Sequence, residues 1–166
     1  GLVSKYDSNH GTYEDISSII AEPIQKIRAK EGSVWLLTKN NILYRYTDSK
    51  IDKIASIFNY ITPRETVKDM DLTNPNEVFL TTDTGRLYHY EIKSKELNEL
   101  VGSFSGFPGN LILTSDKNNR LWIGTDSFGF FIYDTIKKEF IQDTFFNNEK
   151  FKVDNELFLS VFFDSN

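Results

Sequence analysis

The stretch Leu121–Asp134, "LWIGTDSFGFFIYD", sets five aromatic residues (Trp122, Phe128, Phe130, Phe131 and Tyr133) around two glycines. Such crowding suits either the lining of a binding site or a packing unit that the chain uses again. Two other stretches decide between these readings. "VWLLTKNNILYRYTDS" from Val34 and "VFLTTDTGRLYHYEIK" from Val78 align with it without a gap. Trp35, Phe79 and Trp122 share one column, at separations of 44 and 43 residues. Thr38, Thr82 and Thr125 form a second column, Tyr44, Tyr88 and Phe131 a third, and Tyr46, Tyr90 and Tyr133 a fourth. A ligand site breaks repeat symmetry, whereas a packing role repeats. The columns therefore read as core.

A period of this length holds about four strands with their turns, the size of one β-propeller blade. Period-two alternation puts Tyr44 with Tyr46, Tyr88 with Tyr90 and Phe131 with Tyr133 on one face of their strands. "KNN", "DTG" and "DSFG" between the columns supply hairpin turn chemistry. Upstream strands are expected at Ile24–Ala29, Val67–Leu72 and Leu111–Ser115, and downstream strands at Ile51–Phe58, Leu97–Val101 and Glu139–Gln142. Each unit thus reads as an antiparallel meander of four strands. The ends keep the register. Tyr6 precedes Tyr13 by seven residues, as Tyr90 precedes Leu97 and Tyr133 precedes Phe140. Near the C-terminus, "LFLSVFFDSN" resembles a first strand, with Asp164 in the column of Asp116. The expected fold is all-β: one partial β-propeller over residues 1–166, with blades at 1–17 (last two strands), 24–58, 67–101, 111–142 and 157–166 (first strand). It reads as a fragment of a longer propeller. Unpaired strand edges in such a fragment favour a homodimer or edge-to-edge self-association.

Bulk composition agrees with this class and removes others. Of 166 residues, 39% are hydrophobic, 14% aromatic and 26% charged, which is globular rather than disordered. Phe, Tyr, Ile and Leu carry the apolar weight, with a single Met, a mix that favours strands. A net charge of −5 without a basic run argues against nucleic acid and anionic membranes as partners. The absence of Cys excludes disulfides, zinc–thiolate sites and thiol nucleophiles. No apolar run approaches the ~18 residues that span a bilayer, and no signal-peptide pattern is present.

The unit Leu-Trp-Ile-Gly-Thr-Asp, followed by Gly, an aromatic and Tyr-Asp, resembles the two-component regulator propeller repeat. Asp116, Leu121, Trp122, Ile123, Gly124, Thr125, Gly129 and Tyr133 follow that pattern, with Asn119 where Gly is common. Gly32, Trp35, Thr38, Leu43 and Tyr46 follow it in the first full repeat. The middle repeat departs, with Phe79 for Trp and Thr81 in the Gly column. The resemblance implies a periplasmic sensor segment of a membrane-bound hybrid two-component histidine kinase, non-catalytic in itself and answering to a carbohydrate-type signal. Its implied partners are an oligosaccharide ligand and the remaining propeller and linker domains. The family has no universal binding motif, so no site residue transfers. A protein-interaction scaffold is the alternative, although the Gly-His and Trp-Asp marks of WD repeats are absent.

Candidate chemistry lies where the repeat is broken. His10 and His89 are the only histidines, and His89 faces away from Tyr88 and Tyr90. No convergent ligand set for a metal, no nucleophile elbow and no phosphate cradle is visible, so neither metal nor cofactor is expected. Asp116-Lys-Asn-Asn resembles a piece of a calcium loop but reads better as a turn. Asp69 and Asp71, two apart on an inner strand, project from one face toward the channel side, where they line a solvated wall or touch a ligand or a cation. The interblade loops add Tyr60 and Arg64 in "NYITPRET" (59–66) and Phe104 and Phe107 in "GSFSGFPGN" (102–110). Phe128 has no aromatic counterpart in the other repeats. Tyr60, Arg64, Asp69, Asp71, Phe104, Phe107 and Phe128 are the candidate ligand-binding residues. An enzymatic reading would have to draw on Asp69, Asp71 and Arg64.

Overall fold

The structure, a computed structural model, describes residues 3–16, 19–101, 111–125 and 130–141. The chain divides into two compact units between Pro63 and Arg64. The first unit holds a two-stranded hairpin, β1 (Ser4–Asp7) and β2 (Thr12–Asp15). A four-stranded meander follows: β3 (Ile24–Lys30), β4 (Ser33–Thr38), β5 (Ile42–Thr47) and β6 (Lys50–Ser56). The second unit holds two such meanders. One is β7 (Val67–Asn74), β8 (Glu77–Thr82), β9 (Leu87–Glu91) and β10 (Glu96–Leu100). The other is β11 (Leu111–Ser115), β12 (Arg120–Thr125), β13 (Phe130–Asp134) and β14 (Glu139–Ile141). All neighbouring strands are antiparallel.

The expected strands are present with small shifts. The strand expected at Ile51–Phe58 ends at Ser56, because Ile57–Asn59 form a turn of 3-10 helix. Ile57 N–H still donates to Asn41 O at 2.8 Å, one pair beyond Ile42–Ser56 in the same register, before the chain turns away. The strand expected at Leu97–Val101 lies one residue earlier, at Glu96–Leu100. The seven-residue spacing at the ends of the meanders is the observed pairing: Tyr6 opposes Tyr13, Tyr90 opposes Leu97 and Tyr133 opposes Phe140. The first strand expected at 157–166 lies outside the described residues.

Turn chemistry explains the register. Thr38 caps the turn between β4 and β5: its hydroxyl accepts from Ile42 N–H at 3.1 Å and its carbonyl from Asn41 N–H at 3.0 Å. Asn41 and its repeat counterpart Gly85 both take a positive φ, 58° and 73°. Asn119 stands where the repeat pattern favours Gly. It adopts φ 58°, beside 73° for Gly32 in the same column, since Asn tolerates the left-handed region better than most residues.

The Trp and Tyr columns lie on opposite faces of their sheets, since Trp35 opposes Arg45 while Tyr44 and Tyr46 oppose Leu36 and Val34. In the second unit these faces meet. Phe79 and Leu87 pack with Leu111, Leu113, Leu121, Ile123 and Tyr133 in one core cluster. The Phe79 and Tyr133 rings approach edge-on at 6.2 Å. In the first unit Leu36 and Tyr46 pack with Ile16 and Ile20, which continue from the hairpin. Thus the Tyr face of each of these two sheets is covered by the element that precedes it. Gly124 answers a close approach: a Cβ there would lie 2.8 Å from Ile112 Cγ1.

Candidate functional site

Asp69 and Asp71 sit on β7, opposite Thr81 and Phe79 of β8, and so face the sheet that follows. Both are buried. Asp69 Oδ1 accepts from Met70 N–H at 2.9 Å, and Oδ2 from Leu113 N–H at 3.0 Å. Asp71 Oδ1 accepts from Leu72 N–H at 2.8 Å, and Oδ2 from Ser115 N–H. The Ser115 hydroxyl donates back to Leu72 O at 2.7 Å, and Thr81 Oγ1 donates to Leu111 O at 3.0 Å. The expected solvated wall is therefore not what these carboxylates form. They occupy alternate N–H groups along the edge of β11 that β12 leaves free. A buried N–H without an acceptor is costly, so the pair satisfies that edge and ties two inner strands together. Thr81, the departure in the Gly column, belongs to the same stitch.

A second polar centre was not anticipated from sequence. Glu65, at the entry to β7, is buried. Its Oε1 accepts from the Thr84 hydroxyl and lies 3.4 Å from Arg86 Nε, and its Oε2 accepts from Tyr88 OH at 3.2 Å. Thr82 Oγ1 stands 3.5 Å from Oε1. Arg86 Nε also lies 3.8 Å from Glu99. Burial pushes the Tyr88 phenol above its usual range, against the Arg86 contact, which pulls it down. The available signal was Glu65 itself, a lone acid ahead of a strand whose partner column carries Thr82 and Tyr88. The convergence of four side chains from three segments is a tertiary fact.

Asp116 forms the turn into β12. Its Oδ1 accepts from Asn118 N–H at 2.8 Å and Arg120 N–H at 3.1 Å; its Oδ2 accepts from Arg120 Nε at 2.7 Å and Trp122 Nε1 at 3.1 Å. Burial raises its pKa, but the hydrogen bonds from Trp122, Arg120 and Asn118 outweigh that and hold it below the usual value. This is the turn reading of Asp116-Lys-Asn-Asn. No group of three or more acidic, His or Cys side chains suited to a metal occurs among the described residues. His89 stacks on Phe79 at 4.9 Å, with Nε2 3.6 Å from Glu77 Oε1. Burial lowers its pKa, Glu77 counteracts this and Lys138 adds to it.

Of the remaining candidates, Tyr60 follows the 3-10 turn in the first unit and is exposed, with its N–H donating to Ile57 O. Arg64 opens the second unit and is also exposed. Phe104, Phe107 and Phe128 lie outside the described residues.

No protein-family model matches the chain, and no curated protein matches it. Solved structures do. The extracellular domain of the one-component system BT4673 from B. thetaiotaomicron is similar over 94% of this chain, with 21% identity and a TM-score of 0.60. YCF48 bound to D1 peptide is similar over 72% of the chain (11% identity, TM-score 0.53). The WD40 repeats of RRP9 are similar over 73% (8% identity, TM-score 0.51). The chain spans 22%, 40% and 38% of those three structures. The fold is therefore that of β-propeller blades, all-β and four-stranded.

Proposed function

We propose that the chain is a ligand-sensing propeller segment of an extracytoplasmic sensor, specifically of a membrane-bound hybrid two-component histidine kinase in the periplasm. In this reading it is non-catalytic, and a carbohydrate-type signal shifts the population between two arrangements of the assembled sensor. The observation that supports it is the likeness of nearly the whole chain to the extracellular domain of a one-component system, joined to the Trp-Ile-Gly-Thr repeat. Tyr60, Arg64, Phe104, Phe107 and Phe128 are the binding residues proposed, because aromatic faces stack on pyranose rings and a guanidinium pairs with sugar acids. Asp69 and Asp71 would serve such a site by fixing the inner strands, since their oxygens accept backbone N–H groups.

Calorimetric titration of the chain with a panel of plant, host and microbial oligosaccharides tests this. The expected result is saturable binding to one glycan class, weakened in Tyr60→Ala and Arg64→Ala variants that retain wild-type melting. Absence of binding across the panel, together with capture of a tight protein partner, would favour an interaction scaffold instead.

A further inference from the structure

Within the second unit, the Phe79 face of β7–β10 meets β11–β14, and one titratable ring lies in that seam. His89 opposes Phe79 and stacks on it at 4.9 Å, with the planes 17° apart. Phe79 in turn meets the Tyr133 ring and packs with Leu111, Leu113, Leu121 and Ile123. Only 14% of the His89 side chain is exposed, and its Nε2 is buried without a hydrogen-bond partner among the described residues. In the other repeats the place opposite the Trp column is filled by Arg45 and Ile132. The first is always charged and the second never is, whereas a histidine changes charge between about pH 5 and 8.

The charges around the ring come from several elements. On β8, Glu77 Oε1 stands 3.6 Å from Nε2, while its Oε2 accepts from Asn74 Nδ2 at 2.7 Å and Thr73 Oγ1 at 3.3 Å. On β9, Glu91 lies on the same face and accepts from the Ser94 hydroxyl at 2.8 Å, and Glu96 opposes it on β10. On β7, Asp71 is committed to the N–H groups of Leu72 and Ser115. From the facing sheet come the Tyr133 phenol on β13 and, in the turn before β14, Lys138. Burial opposes a charged ring most strongly; Glu77 and Glu91 favour one, and Lys138 opposes it.

We propose that the seam between β7–β10 and β11–β14 is a pH-sensitive joint, in which protonation of His89 loosens the packing of the two sheets without unfolding either. The closed seam holds the ring below its ordinary pKa of 6.5. An opening that solvates the ring restores its proton affinity, so acid selects the opened form. The joint is tight above 6.5 and weakens as pH falls from there to the lower closed-state value. Across that window the opened population rises by up to about tenfold for each pH unit. The joint lies between two complete meanders and is independent of any ligand the chain senses.

Native-state amide exchange, followed from about pH 7.5 to about pH 5, tests it. The Leu113 and Ser115 amides donate across the seam to Asp69 and Asp71, and so report its opening. The β4–β5 and β12–β13 ladders report the unfolding of single sheets. Corrected for intrinsic exchange, protection at Leu113 and Ser115 should fall through the window while both ladders keep theirs. Lys138→Met should raise the His89 pKa read by NMR and shrink the response; Glu77→Gln should lower it and enlarge the response. His89→Phe should abolish the response although His10 still titrates. Unchanged protection at Leu113 and Ser115, an equal loss in both ladders, or a response that survives His89→Phe would each overturn the proposal.

Discussion

Replacing Asp69 and Asp71 separates a structural from a ligand-binding role. In Asp69→Ala the Leu113 N–H loses its acceptor, and in Asp71→Ala the Ser115 N–H does. An unsatisfied buried donor costs ~1–3 kcal/mol, and a hydrogen bond to a charged group contributes ~1.5–3 kcal/mol. Removing the carboxylate also relieves the desolvation of a buried charge, which offsets part of this. A net loss of ~2 kcal/mol per site follows. The double variant should lose ~3–4 kcal/mol, less than additive where the two sites share one strand edge. For a chain of this size each kcal/mol lowers Tm by ~2–4 °C, so the double variant should melt ~10 °C lower. Asn, which keeps one acceptor oxygen, should cost about half as much as Ala at either site. Urea unfolding gives the free energies, and amide exchange at Leu113 and Ser115 gives their location. If both Ala variants unfold within ~0.5 kcal/mol of wild type, as ordinary surface changes do, the stitching role is wrong.

Three further expectations can be measured alongside. The His89 pKa is depressed from 6.5 in the folded chain. Its contribution is therefore full above 6.5 and is lost as pH falls through the lower folded value. His89→Phe, which keeps a ring against Phe79, should remove that part of the pH dependence of Tm. Glu65→Ala leaves Arg86, Tyr88 and Thr84 without their shared acceptor; because Arg86 is partly solvated, the loss should be ~2–3 kcal/mol in urea unfolding. Gly124→Ala should cost ~1–3 kcal/mol through the clash with Ile112, and Ile112→Ala in the same chain should recover part of it in a double-mutant cycle.

What was legible in the sequence followed from periodicity. Column spacing gave the meanders, and the Tyr6–Tyr13 spacing gave the pairing of a hairpin that carries only half the pattern. The Thr column read as core, and Thr38, Thr82 and Thr125 are all buried. Asp69 and Asp71 were singled out correctly as a same-face pair, but their environment was not readable. Which amides they meet depends on a strand 44 residues away. The Glu65 centre was invisible for the same reason, since it assembles from a loop, a turn and two strands. The shortened fourth strand of the first meander also escaped prediction, because Ile57 continues both the apolar pattern and the pairing to Asn41, while the backbone from Ile57 to Asn59 turns into 3-10 helix.

The inner-strand clamp has a consequence for how such a chain could be rearranged. By register against the Trp column, the places of Asp69 and Asp71 are filled by Lys26 and Arg28 on β3, and by Ile112 and Thr114 on β11. One inner strand is basic there, the next acidic and the third uncharged. The repeats therefore share a scaffold but not an address. Shuffling or duplicating a repeat would preserve every aromatic column and still place Lys or Ile where Leu113 needs its carboxylate, and Arg or Thr where Ser115 does. Order along the chain is written on the inner strands, beneath a pattern that makes the repeats look interchangeable.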